Sequence, residues 1–351
     1  MASKKPYSTV LIIPTGIGAT IGGYAGDALP VAKVIAQVCD HLITHPNVMN
    51  GASLYWWADN IQYVEGYALD KFASGEWGLQ PVRQNRIGII FDQSIEEELL
   101  YRHIQVADGI RATLGIEIVD YIITDHSVGV ELKIAPSGSS WGTINNPSTL
   151  LRAAEKLIRE KKVNALAVVA RFPDDISSQT LQKYRYGKGV DALAGAEAII
   201  SHLLVRQFQI PCAHSPALSP LPLDINVSPK AVAEELGFTF LPCVLVGLSR
   251  APQYTQSRNH YSLWAEDVDS VVIPINACGG SSILSFAALD TLIIAVEENE
   301  TVLDVTPERL GISVVRVKSY LEAIGVIVAH RGGISLQSLK PQIPSLFHGK
   351  S

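Results

Sequence analysis

In the stretch VVIPINACGGSSILSFAALD, an apolar β-type run ends in two glycines and two serines before a helical pattern begins. Gly279, Gly280, Ser281 and Ser282 therefore stand at a strand-to-helix junction. The first backbone N–H groups of a helix lack intrahelical acceptors, and the macrodipole adds positive potential there. Glycine lets a ligand approach those amides and serine adds hydroxyls, so the turn reads as a cradle for phosphate or carboxylate. The plainer alternative is an N-cap serine before a solvated acidic loop. After the next apolar run comes EENET, which places Glu298 and Glu300 at the same sheet edge. Carboxylates there would bind ribose or sugar hydroxyls, or act as a base.

A second glycine-rich segment follows the first apolar run. TVLIIP leads into TGIGATIGGYAGDALP, with five glycines between Gly16 and Gly26. Gly16, Gly18, Gly22 and Gly23 offer backbone amides to an anion, and a helix is expected from about Asp27, itself an acid-base candidate or an N-cap. The spacing is neither GxGxxG nor GxxxxGK[ST]. Thr124-Asp125-His126 closes another apolar run, where His126 suits proton transfer or Asp125 and His126 a hydrogen-bonded turn. In YRYGKGVD, Lys183, Arg185, Lys188 and Asp191 surround two glycines; this segment either closes over an anion or is a solvated loop. IPCAHSPALSPLP holds Cys212, His214 and Ser215 in a proline-rich frame. Parallel strands put their carboxyl ends on one edge, so Gly16–Asp27, YRYGKG and CGGSS are expected to meet at one cleft. Lys188 and Arg185 would neutralise the ligand there.

The four cysteines are widely spaced with no CxxC pair, and no cluster has metal-ligand spacing. No metal is expected, and the residues identify no cofactor. Free thiols suit a reducing compartment. The chain of 351 residues carries 47% hydrophobic and 18% charged residues with a net charge of -6. A large core follows, and neither nucleic acid nor membrane is an expected partner. The basic start MASKKPYSTVLIIPTG lacks an apolar run long enough for a signal peptide or a span. A cytoplasmic protein with a small anionic ligand is expected; homo-oligomerisation stays open.

Positioning these residues requires an α/β fold: mostly parallel sheet, Rossmann-like, with helices on both faces. Strands are expected at 8–14, 86–92, 117–124, 164–172, 238–247, 270–277 and 291–298, mostly continuous apolar runs of the kind buried on both faces. VGVELKIA (128–135) reads as a hairpin partner of 117–124. Helices are expected at 28–44, 94–113, 148–162, 190–207 and 280–289, with Asn146-Pro147 and Ser228-Pro229 as starts. The polar stretch 173–191 divides the chain into domains 1–175 and 176–351, or is a long active-site loop.

IIPTGIGATIGGYAGDALP, GKGVDALAGAEAIISH and DSVVIPINACGGSSILSFAALDTLIIAVEENETVLDVTPERLGI resemble the family catalogued as domain of unknown function 3326, met largely in cyanobacteria and photosynthetic eukaryotes. That resemblance spans nearly the whole chain and supplies no catalytic residues. GGSSILSFAALDTLIIAVEENET is also similar to the ligand segment of GT-B-type sugar-nucleotide enzymes, including non-hydrolysing UDP-sugar epimerases. That likeness implies phosphate contacts for Gly279, Gly280 and Ser281 and a ribose contact for Glu300, although Asp290 stands where a glycine is usual.

The first functional reading is an enzyme, transferase or isomerase, acting on a phosphate-, nucleotide- or carboxylate-bearing metabolite. Asp27, His126, Lys188 and Glu298 are its acid-base candidates. The second is cofactor-independent, racemase-like thiol chemistry by Cys212 and Cys278, since a thiolate at a helix N-terminus has a lowered pKa. The third is a non-catalytic metabolite-binding or regulatory protein.

Overall fold

The computed structural model describes residues 5–51, 58–174, 178–235, 240–343 and 345. The fold is α/β, with two parallel sheets flanked by helices. The strands are β1 (Ser8–Leu11), β2 (His41–Thr44), β3 (Ile61–Tyr63), β4 (Gly78–Gln80), β5 (Ile87–Phe91), β6 (Ile118–Ile123) and β7 (Val130–Ile134). They continue as β8 (Ser140–Ile144), β9 (Ala165–Arg171), β10 (Cys212–Ala217), β11 (Gln253–Thr255), β12 (Val268–Pro274), β13 (Leu292–Val296) and β14 (Val315–Val317).

The larger sheet has the order β14-β13-β12-β1-β2-β3, and every neighbouring pair in it is parallel. Numbered within that sheet alone, the order is that of the doubly wound dinucleotide-binding fold, 3-2-1-4-5-6 read from β3. The second sheet, β10-β9-β5-β6, is also parallel and lies wholly within the chain between β3 and β12. The sheets therefore do not divide the chain at 175: the first takes three strands from each end, and the second takes the middle.

Apolar runs became strands where they cross a sheet interior. β9 is buried along six of its seven residues and β5 along all five. The run at 238–247 is a correction: Phe240–Ser249 is a helix, buried from Leu241 to Ser249. A helix apolar on every side has no periodic signature to separate it from a central strand. This one packs on β9, β10 and β5 and against the helix Glu97–Leu114. The proposed hairpin also changes partner, because β7 pairs antiparallel with β8 instead of β6. The first helix is shorter than expected, Leu29–Ala36, and the chain then turns into β2.

The helix Pro147–Lys161 shows how sequence sets placement. Its buried residues Leu150, Ala153, Ala154 and Leu157 recur at one-turn spacing and face β5 and β6. Pro147 starts it without needing an N–H, but Asn146 does not cap it. The Asn146 amide donates instead to the Ser127 carbonyl at 2.8 Å.

Candidate functional site

The carboxyl ends of β1, β2, β3 and β12 surround a cavity of about 350 Å³, closed on its far side by β10 and the helix Ala194–Phe208. In open α/β sheets the strand order reverses between the first and fourth strands, here β1 and β12, and the crevice outside that point is where ligands bind. Seven ionisable groups line it: His45 past β2, Glu65 past β3 and Asp70 on the helix that follows, Asp191 and Glu197 around the start of the helix Ala194–Phe208, His202 on that helix, and His214 on β10.

Glu65 is the hub. It is 3% exposed, and as N-cap of the helix Gly66–Ala73 it accepts the Tyr67 amide at 2.8 Å and the Ala68 amide at 3.3 Å. Its other oxygen stands 3.0 Å from His202 Nε2 and accepts the Ser201 hydroxyl at 3.4 Å. Ser201 Oγ lies 3.1 Å from His214 Nδ1, and His214 Nε2 lies 3.7 Å from Glu197. The groups His202, Glu65, Ser201 and His214 thus lie each in hydrogen-bonding reach of the next along the wall, with the single Ser201 proton shared between Glu65 and the Ala198 carbonyl at 3.3 Å.

The two histidines are pushed apart in acidity. Burial opposes charging of His202, but the Glu65 hydrogen bond, with the charges of Glu65 and Asp70, outweighs it and raises the pKa. His214 is lowered to about 3 by burial and by the neighbouring His202 charge. Glu197 is too far from His214 for a hydrogen bond and does not compensate. Burial lifts the Asp191 carboxyl to about 6 against hydrogen bonds from the Leu193 and Ala194 amides. His45, buried to a pKa of about 4, accepts the Ile13 N–H on Nε2 at 3.0 Å. An imidazole nitrogen accepting an amide proton must be unprotonated, so this bond ties β1 to β2 only while His45 is neutral.

Gly280, Ser281 and Ser282 line the cavity, and their anion is part of the chain. Asp70 accepts the Ser282 amide at 3.0 Å, the Ser281 hydroxyl at 2.8 Å and the Ser282 hydroxyl at close range. The turn therefore fastens the helix Ser281–Ala287 to the helix Gly66–Ala73. Hydrogen bonds to a carboxylate are worth about 1.5–3 kcal/mol each before losses, so Asp70→Ala is expected to cost about 2–3 kcal/mol in urea unfolding. Asp70→Asn should cost less; equal costs would show that charge is irrelevant to the turn. Gly279 lies behind the turn, where a Cβ would stand 2.8 Å from Val305.

The N-terminal glycine loop is also consumed internally. Asp27 accepts the Gly22 amide at 2.5 Å and pairs with Lys230 at 2.9 Å. Asn299, fully buried, exchanges two hydrogen bonds with the Ile21 backbone. At Gly26, with φ +77°, a Cβ would meet the Asn50 carbonyl at 2.1 Å. Thr15 and Ala25 reach the cavity, whereas Gly16, Gly18, Gly22, Gly23 and Asp27 do not line it. Two of the three segments expected at one cleft meet through side chains, since a Cβ on Gly18 would stand 2.9 Å from Val190 and Tyr24 stacks on Tyr184 at 4.4 Å. Tyr184 and Arg185, however, line a different cavity from Gly280, Ser281 and Ser282.

The remaining expected residues lie elsewhere. His126 is exposed in a turn where Arg152 clamps Asp125 through bonds of 2.7 and 2.8 Å. Lys188 is exposed to solvent. Arg185 is buried and donates to the Pro222 carbonyl at 2.9 Å, beside a second cavity. Glu298 accepts the Tyr320 amide at 2.8 Å, and the Glu300 carbonyl accepts the Thr20 amide at 2.9 Å. Cys212 and Cys278 are buried; burial pushes Cys278 to about 11 and Cys212 well above its ordinary value, so neither thiol is ionised near neutral pH.

Among the described residues no lysine or arginine lines the 350 Å³ cavity. No group of three or more His, Cys, Asp or Glu residues there has the arrangement of a metal site. No described helix is long and apolar enough to cross a membrane.

The family described as "Protein of unknown function (DUF3326)" matches residues 8–340. A protein of Synechococcus sp. named an uncharacterized lipoprotein is 56% identical over 339 residues, covering 96% of this chain and 94% of its own. No solved structure matches the chain, and the likeness to GT-B-type enzymes gains no support.

Proposed function

This chain belongs to the DUF3326 family of proteins of unknown function, and we propose that it is a proton-transfer enzyme, an isomerase or lyase by class. Its substrate is a small hydroxyl- or amine-bearing molecule. One observation carries this reading: His202 and His214, joined through Glu65 and Ser201, face one cavity at the switch point with their pKa values moved in opposite directions. Pairs of titratable groups held apart in this way divide into acid and base. At neutral pH His214 is unprotonated and serves as the base. His202, stabilised as a cation by Glu65, serves as the acid. Asp70, Asp191, Glu65 and Glu197 give the lining an acidic character, which favours a neutral or cationic ligand over the phosphate or carboxylate that the glycine turns suggest.

Deuterium incorporation from D2O at the carbon next to the carbonyl of a panel of hydroxy- and aminocarbonyl compounds, followed by NMR, tests this. General acid-base groups contribute about 10²–10⁴-fold, so His214→Gln and His202→Gln should each slow exchange by about 100-fold or more. Compounds that stabilise the protein through Glu197 yet never exchange would favour the non-catalytic binding reading. The relative's name as a lipoprotein points to a membrane-anchored setting, whereas we place this chain in the cytoplasm. Recovery of the bulk of the chain with membranes on fractionation would reverse that placement.

A further inference from the structure

A second cavity, of about 240 Å³, adjoins the first, and Asp191, Leu193, Pro216 and Phe240 line both. Its remaining walls are largely hydrocarbon, drawn from Leu181, Val190, Leu218, Ala231 and Leu241. An apolar cavity of about 150 Å³ already admits benzene, so this one has room for a short alkyl chain or a ring. Its polar groups are mostly occupied. His103 Nδ1 bonds the Leu99 carbonyl at 2.7 Å, and Arg185 holds the Pro222 carbonyl. At the rim, Leu221 and Leu223 line the cavity while remaining 39% and 88% exposed, and Ile225 beyond them is fully exposed. Clustered apolar side chains left in water beside an apolar chamber mark a surface over which apolar matter passes.

We infer that the substrate is amphipathic, with its polar reacting end between His202 and His214 and an apolar tail in this second chamber. The inference rests on the proposed proton-transfer reading for the head; the tail is new. Asp191 stands at the junction, where its carboxyl would meet the atoms joining head to tail. The first chamber selects for hydroxyl or ammonium, and the second for tail length.

Calorimetric titration of the full chain with butyl-, hexyl- and octylamine, and with hexanol and hexanoate, separates the two halves. Burying a methylene is worth about 0.8 kcal/mol, so affinity should rise roughly threefold to fourfold per added methylene. Hexylamine and hexanol should bind more tightly than hexanoate. Leu218→Trp and Ala231→Phe fill the second chamber and should flatten the length dependence while leaving butylamine within about twofold. Leu181→Asn, which adds no bulk, should reduce it. Wild-type affinity independent of chain length overturns the inference, whatever the variants do. So does a length dependence unchanged in the folded variants. Loss of exchange activity is a separate matter: if His214→Gln leaves deuterium exchange intact but chain-length dependence persists, the proton-transfer reading falls and the apolar chamber stands.

Discussion

Replacing Glu65 by alanine is expected to remove about 3 kcal/mol of stability at pH 7, read from urea unfolding. Two losses combine. The helix Gly66–Ala73 loses the carboxylate that accepts its first amides, a capping contribution of about 0.5–2 kcal/mol. His202 also loses its partner. Breaking a buried pair costs about 3–5 kcal/mol, but the His202 side chain is 43% exposed, so solvent screening cuts that share severely. Glu65→Gln separates the two effects, since its amide oxygen still caps while the charge is gone. In that variant burial acts on His202 with only Asp70 opposing, and its NMR titration midpoint should drop from above to below the ordinary histidine value. An unmoved midpoint would show that Glu65 does not control the proton on His202.

The second large effect is loss of stability in acid. An unfolded histidine takes up its proton near pH 6.5, while folded His214 does so only near 3 and His45 near 4. As the pH falls through this window the unfolded chain binds more protons, and each such histidine lowers stability by about 1.4 kcal/mol per pH unit. Asp191 acts in the opposite sense. Its folded pKa of about 6 lies above the carboxylate value of 3.8, so the folded form gains a proton first and is favoured as the pH falls. His214→Gln should therefore flatten the decline between pH 6.5 and 4, recovering about 3 kcal/mol relative to wild type at the acid end. Asp191→Asn should steepen it. Parallel curves for wild type and His214→Gln would mean that His214 is not buried as a neutral base.

The fold was largely readable because central parallel strands are apolar on both faces. β1, β5, β6, β9 and β13 lie within expected runs, and β12 begins two residues before its own. β2 and β10 were not expected as strands. HLIT continues the preceding helical pattern, and CAHSPA contains Pro216, which β10 tolerates because it is an edge strand. The site was much less readable. His214 stood out within its proline-rich segment, and Asp191 within the basic loop, but neither had a visible partner. Glu65 and His202 were passed over, because what makes them chemical is a 3.0 Å contact across 137 positions of sequence (202 − 65). GGSS shows in sequence that donors gather at the turn, but nothing in it reveals that Asp70, on another helix, accepts the Ser281 and Ser282 donors. Glycine-rich turns announce close approach of something; whether that is a ligand or the chain's own backbone, as at Gly26 and Asn50, is decided by distant residues.

The insertion of one sheet inside another has a consequence during synthesis. β1 is a central strand, yet one of its two neighbours, β12, begins 257 residues after β1 ends (268 − 11). At roughly 5–20 residues per second on the ribosome, one edge of β1 waits about 13–50 s for its partner. The inserted strands β5, β6, β9 and β10 need only each other and emerge complete by residue 217, so they can condense first. Until β12 arrives, the apolar run VLII stands beside an unpaired ladder that can capture another chain. Chaperones should engage this protein between emergence of the inserted sheet and release of β12, and a circular permutant opening in a loop between β3 and β5 should shorten that interval by bringing β12 and β1 close in translation order.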